Sequence, residues 1–184
     1  ITEREVFTSG DATLLYLAAH PVGRELLLIG TPSLEQQFLS AGYCIDSAKP
    51  SAVVLGFDTT LTYQKLTALC NAVRAGIPYI ATHPDRNCPV AGGYIPDIGA
   101  TIAYVEAATG RRPDVVIGKP NPWIVQAAAQ QFGCRLEEVC MVGDRLYTDI
   151  AVGASGCKTV LVLCGESRLE DLPSATHQPD LVCQ

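Results

Sequence analysis

No run of apolar residues in this 184-residue chain approaches the roughly 18 needed to cross a bilayer, and no charged, then apolar, leader pattern opens it. The reading therefore expects no membrane partner and a cytoplasmic location. CxxC is absent, and no Cys/His spacing matches a zinc site; the eight cysteines are scattered from Cys44 to Cys183. They read as reduced thiols, mostly buried. Lysine- and arginine-rich runs are missing too, and the formal net charge is −6, which disfavours nonspecific attraction to nucleic acid or anionic membranes. An anionic substrate would need local help from a metal or a lysine. Charged residues make up only 17% of the chain against 48% apolar, a balance that suits one sizeable core or two small ones and argues against disorder. There is no internal repeat and no low-complexity tract.

What is present is an alternation of strand-like and helix-like pieces, the pattern of an α/β protein. Strands are expected at 25–29, 52–57, 79–82, 115–118, 139–143 and 159–163, and helices at 11–20, 33–41, 62–75, 99–108, 122–132 and 149–154. Between His83 and Gly99 lies a long loop rich in proline and glycine, of a length that is uncommon unless it serves function.

The most informative stretch is Met141-Val142-Gly143-Asp144-Arg145-Leu146-Tyr147-Thr148-Asp149-Ile150. An apolar strand ends on Asp144, and Asp149 follows five residues later. Carboxylates at the carboxyl end of a strand point into the crevice where open α/β sheets bind ligands, and a few carboxylates with phosphate oxygens and water suit Mg²⁺. Upstream, Ile117-Gly118-Lys119-Pro120-Asn121-Pro122 places Lys119 just outside a helix that Asn121 can cap and Pro122 can begin. A lysine there reinforces an anion site already favoured by free N–H groups. Asp58-Thr59-Thr60-Leu61-Thr62 offers a competing nucleophile motif, DxTxT. Its second position, Thr60, lacks the acid a phosphatase needs, so the stretch reads as a strand-to-helix turn capped by Asp58 or a nearby threonine.

Taken together, IGKPNPWIVQAAAQQFGC, VCMVGDRLYTDIAVGASGCKTVLVLCGES, VVLGFDTTLTYQKL and the cap-loop sequence ATHPD at 81–85 resemble a haloacid dehalogenase (HAD) superfamily phosphatase. The likeness is to its NagD-like, or 4-nitrophenylphosphatase-like, branch and covers nearly the whole chain. It implies an α/β fold: a HAD-like Rossmannoid core, here its C-terminal part (1–20 and 117–184), with a large α/β cap domain at 21–116. It implies Lys119 as the catalytic lysine that neutralises the phosphoryl group, and Asp144 and Asp149 as the Mg²⁺ site. His83, Asp85 and Arg145 become substrate-binding, His83 standing where the family usually has asparagine. The family's nucleophile motif, DxDG(T/V), has no match in these residues. The expected function is Mg²⁺-dependent hydrolysis of a small phosphorylated metabolite through an aspartyl-phosphate intermediate in the full-length protein, with this chain itself inactive. The alternative is a noncatalytic assembly module built on the cap, as a homodimer.

Overall fold

Short aliphatic runs explain the first sheet. In the computed structural model, which describes residues 1–45 and 47–184 together with every side chain among them except that of Glu3, four strands pair in parallel. They are β1 (Leu26–Ile29), β2 (Ala52–Leu55), β3 (Tyr79–Ala81) and β6 (Val115–Val116), in the order β1-β2-β3-β6. The register sets Leu27 beside Val53, Val53 beside Tyr79 and Ile80 beside Val115. Every residue of β1, β2 and β3 is buried, as expected of a parallel sheet covered on both faces.

Helices α1 (Ser9–Ala19), α2 (Pro32–Ser40), α3 (Tyr63–Arg74) and α4 (Ile98–Thr109) complete this unit. Leu69 and Val73 of α3 and Ile98, Ile102 and Val105 of α4 meet Leu27, Ile29, Val53, Leu55 and Tyr79 in one core. Those strand residues alternate along the chain, so one face of the sheet receives both helices. Local chemistry starts each helix: Thr8, Thr31, Thr62 and Asp97 each accept a hydrogen bond from a first-turn N–H. Such caps contribute about 1 kcal/mol each.

The chain divides into two compact units, Ile1–Ile117 and Gly118–Gln184. The first twenty residues fall in the first unit, where Gln37 of α2 donates to Asp11 of α1 at 2.6 Å. In the second unit, α5 (Trp123–Phe132) precedes a parallel sheet of β7 (Cys140–Gly143), β8 (Lys158–Val162) and β9 (Leu181–Cys183). Leu146, Ile150 and Leu161 form one small core here, and Val125, Val152 and Cys157 another. Asp180 ties β8 to the approach of β9 by accepting from the Thr159 N–H at 2.9 Å. That backbone bond, followed by Lys158, holds its carboxyl below the ordinary aspartate range.

The structure departs from the sequence reading in four places, and β9 is one, since no strand was expected there. The long loop contains an antiparallel hairpin, β4 (Asn87–Val90) and β5 (Gly93–Pro96), turned at Ala91-Gly92. Residues 146–155 form a π turn and a 3₁₀ turn rather than a regular helix. The cysteines are all unpaired, as expected, but only Cys70 and Cys157 are buried; Cys44, Cys134, Cys140 and Cys164 are exposed. Three of those four lie outside β-strands and helices, where side chains meet solvent, and Cys140 begins β7. No helix among the described residues is long and apolar enough to cross a membrane.

Tyr79 carries a testable cost. Its ring is wholly buried, and its hydroxyl has no hydrogen-bond partner among the described residues. Burial, with a smaller contribution from Cys70, pushes its pKa up from the ordinary tyrosine value. An unsatisfied buried hydroxyl costs about 1–3 kcal/mol, so Tyr79→Phe is expected to raise the thermal midpoint, with a gain of about 1 kcal/mol. A lowered midpoint would reveal a partner for the hydroxyl.

Candidate active site

The strand β7 runs into Gly143 and delivers Asp144 at its carboxyl end, beside β8. The chain then turns through Leu146–Ile150, and that turn carries Asp149 back against the strand. A Cβ on Gly143 would land on the carboxyl group of Asp149, and a Cβ on Gly165 would land on that of Asp144. Both acids therefore lie in cradles that only glycine leaves open.

Lys119 and Asp149, far apart in sequence, form an ion pair at 2.5 Å. The Asp149 side chain is only 6% exposed, while Lys119 keeps 36% of its surface open. The lysine therefore reaches solvent while its charge partner is fixed. The other oxygen of Asp149 accepts from the Arg145 N–H at 3.1 Å. Asp144 accepts from the Glu166 N–H at 2.7 Å through Oδ2, and its carbonyl accepts from the Ser167 N–H. Arg145 extends to Glu166, with Nε and Oε2 at 2.8 Å, and the Tyr147 hydroxyl donates to the same carboxylate. Ahead of α5, Asn121 accepts from the Trp123 N–H at 2.9 Å, while the cap position itself falls to Pro122 rather than to Asn121 as expected.

Three of the sequence-derived residues are thus connected: Lys119 to Asp149, and Asp149 to the Arg145 backbone. Asp144 lies on the same strand end, joined to Arg145 through Glu166.

His83 and Asp85 belong to the first unit, beyond the carboxyl end of β3. His83 Nε2 lies 2.9 Å from Asp97 Oδ1, and His83 Nδ1 lies 3.0 Å from the Thr82 hydroxyl. Asp97 is the residue that sequence reasoning missed. It stands directly before the apolar run of α4, a recognisable cap position, but the expected helix was started one residue late. A cavity of about 350 Å³ opens nearby, lined by Leu55, Phe57, Asp58, Ile95 and Asp97 among others. Asp58 itself is enclosed: it accepts from the Thr60 N–H and hydroxyl and pairs with Lys65 at 2.7 Å, with 2% of its side chain exposed. It serves the strand-to-helix turn, and Thr62 caps the helix that follows.

The HAD-hydrolase-like family model matches residues 116–184, the segment that holds Lys119, Asp144 and Asp149. The ribonucleotide monophosphatase NagD of Escherichia coli is 33% identical over 177 residues, which span 96% of this chain and 69% of that protein. This chain belongs to the HAD superfamily, in its NagD-like phosphatase branch. A dihydroxyacetone phosphatase of Corynebacterium glutamicum is 34% identical over 91% of this chain and 61% of that protein. The crystal structure of a 4-nitrophenylphosphatase from Thermotoga maritima superposes with a TM-score of 0.93 at 45% identity, covering all of this chain and 71% of that one. The fold of this HAD chain is accordingly the mixed α/β architecture with parallel sheets that the resemblance implies.

Proposed function

We propose that Gly118–Gln184 is the phosphate- and cation-binding part of a phosphatase that hydrolyses small phosphomonoesters in a reducing, cytoplasmic compartment. The observation that carries this reading is the Lys119–Asp149 ion pair at 2.5 Å on the carboxyl-end side of the strand that presents Asp144. Residues 21–116 act as the cap and 117–184 as core, a boundary one residue from the division between the compact units. The assignment of 1–20 to the core rests on the resemblance alone.

A divalent cation of the Mg²⁺ class fits the residues present. Asp144 and Asp149 are hard oxygen donors in cradles closed by Gly143 and Gly165. Asp144 would be the direct ligand and Asp149 the outer support. When bound, the cation supplies charge neutralisation of phosphate oxygens.

The chain's own groups do the rest. Lys119 places an ammonium where the phosphoryl oxygens collect charge, which is the main requirement of phosphoryl transfer. Asp149 fixes that ammonium in position. Arg145, drawn to Glu166, shapes the loop around them.

The nucleophilic aspartate that the family uses has no counterpart motif in these 184 residues. The 184-residue chain alone is therefore expected to leave 4-nitrophenyl phosphate intact in Mg²⁺. The full-length gene product is expected to hydrolyse members of a phosphomonoester panel. Asp144→Asn there should lower kcat/KM by about 10³-fold, since a metal's charge stabilisation is worth several kcal/mol and each 1.36 kcal/mol is tenfold. Turnover by the short chain would refute the expected inactivity, and an inert full-length protein would refute the phosphatase reading.

A further inference from the structure

We propose a second divalent-cation site in the first unit, formed by His83, Asp85 and Asp97, that takes a first-row transition ion such as Mn²⁺. Each of the three residues offers one ligand atom, and all three atoms lie within 4.8 Å of one another. One imidazole and two carboxylates suit Mn²⁺ or Zn²⁺ better than Mg²⁺, which prefers oxygen alone. The proposal stands on residues of the first unit and does not depend on the phosphatase reading.

The geometry is close to that of a ligated cation. With metal–ligand bonds of about 2.0–2.2 Å, two ligands at a right angle lie about 3 Å apart. His83 Nε2 and Asp97 Oδ1 are 2.9 Å apart. The Asp85 carboxylate completes a set of three ligand atoms within 4.8 Å of one another.

The surroundings hold each ligand in place. The buried hydroxyl of Thr82 engages His83 Nδ1 at 3.0 Å, which turns Nε2 toward the site; metal-binding histidines are commonly oriented in this way through their second nitrogen. Asp97 is anchored as the cap of the twelve-residue helix α4, accepting from the Ile98 N–H at 2.6 Å. The Asp85 carbonyl accepts from the Gly99 N–H at 2.7 Å. This fixes the loop on the same helix end. The location, past the carboxyl end of β3 in a parallel sheet, is where open α/β sheets take ligands. The N-terminus of α4 opposes a cation with about half a positive charge, but two full carboxylate charges outweigh it.

Mn²⁺ is the probe of choice, because it binds imidazole and carboxylate while the eight unpaired thiols attract softer ions. The 184-residue chain carrying Asp144→Asn, which removes the direct ligand expected in the second unit, is titrated with Mn²⁺ and free ion is followed by electron paramagnetic resonance. One equivalent is expected to bind. Adding His83→Asn or Asp97→Asn should weaken that binding at least tenfold, while the apo circular dichroism spectrum shows each variant still folded. A second reading needs neither of these two substitutions. The chain has three histidines, and substoichiometric Mn²⁺ should broaden the His83 imidazole signals while sparing those of His20 and His177. No bound Mn²⁺ in the Asp144→Asn chain, equal affinity in the folded His83 or Asp97 variants, or uniform broadening of all three histidines would overturn the site.

Discussion

Gly143→Ala is expected to dismantle the acid cluster of the second unit and to lower the stability of that unit by at least about 2 kcal/mol. Gly143 is the last residue of β7, and an added Cβ would come within 2.4 Å of Cβ, Cγ and Oδ2 of Asp149. A rotamer change of Asp149 cannot relieve this, because its own Cβ is among the atoms met. Retreat of the turn is blocked as well, since Leu146, Thr148 and Ile150 beside it are buried. Overpacking of this kind costs about 1–3 kcal/mol. Loss of the hydrogen bonds that the 6%-exposed Asp149 makes to Lys119 and to the Arg145 N–H adds a penalty of the size typical for charged groups, about 1.5–3 kcal/mol. Because these share one cause they do not simply sum. The chain has a single tryptophan, Trp123, which begins α5 of the second unit, so urea unfolding followed by its fluorescence reports on this unit. A lower midpoint at unchanged slope is expected. An unshifted midpoint would mean that Asp149 does not pack against the end of β7.

This dependence also shows what was legible in the sequence. The strands of the first unit announce themselves through Leu26–Ile29 and Ala52–Leu55, because buried parallel strands are short and aliphatic. The five regular helices begin and end within two residues of expectation, since Thr62, Asn121 and Gly110 mark their ends chemically. The hairpin of β4 and β5 escaped because both strands are largely exposed and carry Pro89 and Pro96, so no burial alternation betrays them. Only Gly92-Gly93 hinted at a turn.

The site was legible in parts. Gly143-Asp144 at a strand end is a local signal, whereas the partnership of Lys119 with Asp149 spans thirty positions and no spacing rule can announce it. The resemblance named the residues, and the fold brings Lys119 to Asp149. Asp58 shows the reverse case. Its motif looks nucleophilic in sequence, yet Thr60 and Lys65 engage both of its oxygens within a turn.

Gly99→Ala is expected to be the corresponding failure in the first unit. Helix propensity favours the change by up to about 1 kcal/mol, since alanine outranks glycine within a helix, and Gly99 is an ordinary helical residue near the start of α4. Space decides otherwise. The new Cβ would strike the Pro84 carbonyl oxygen and the carbonyl group of Asp85, which are backbone atoms with no rotamer to move away. Relief requires the 84–85 loop to lift from α4, breaking the bond from the Gly99 N–H to the Asp85 oxygen. Overpacking at about 1–3 kcal/mol and a lost hydrogen bond at about 0.5–1.5 kcal/mol exceed the propensity gain, so the net effect is destabilising by about 1–3 kcal/mol. The same displacement carries Asp85 away from His83 and Asp97, so Mn²⁺ affinity should fall about tenfold, a loss that propensity cannot repair. Hydrogen exchange at the Gly99 position should accelerate, while the Trp123-monitored midpoint of the second unit stays fixed. A variant that melts higher than the parent and binds Mn²⁺ equally well would show that the loop is not held against the helix, and that the three ligands are not arranged by it.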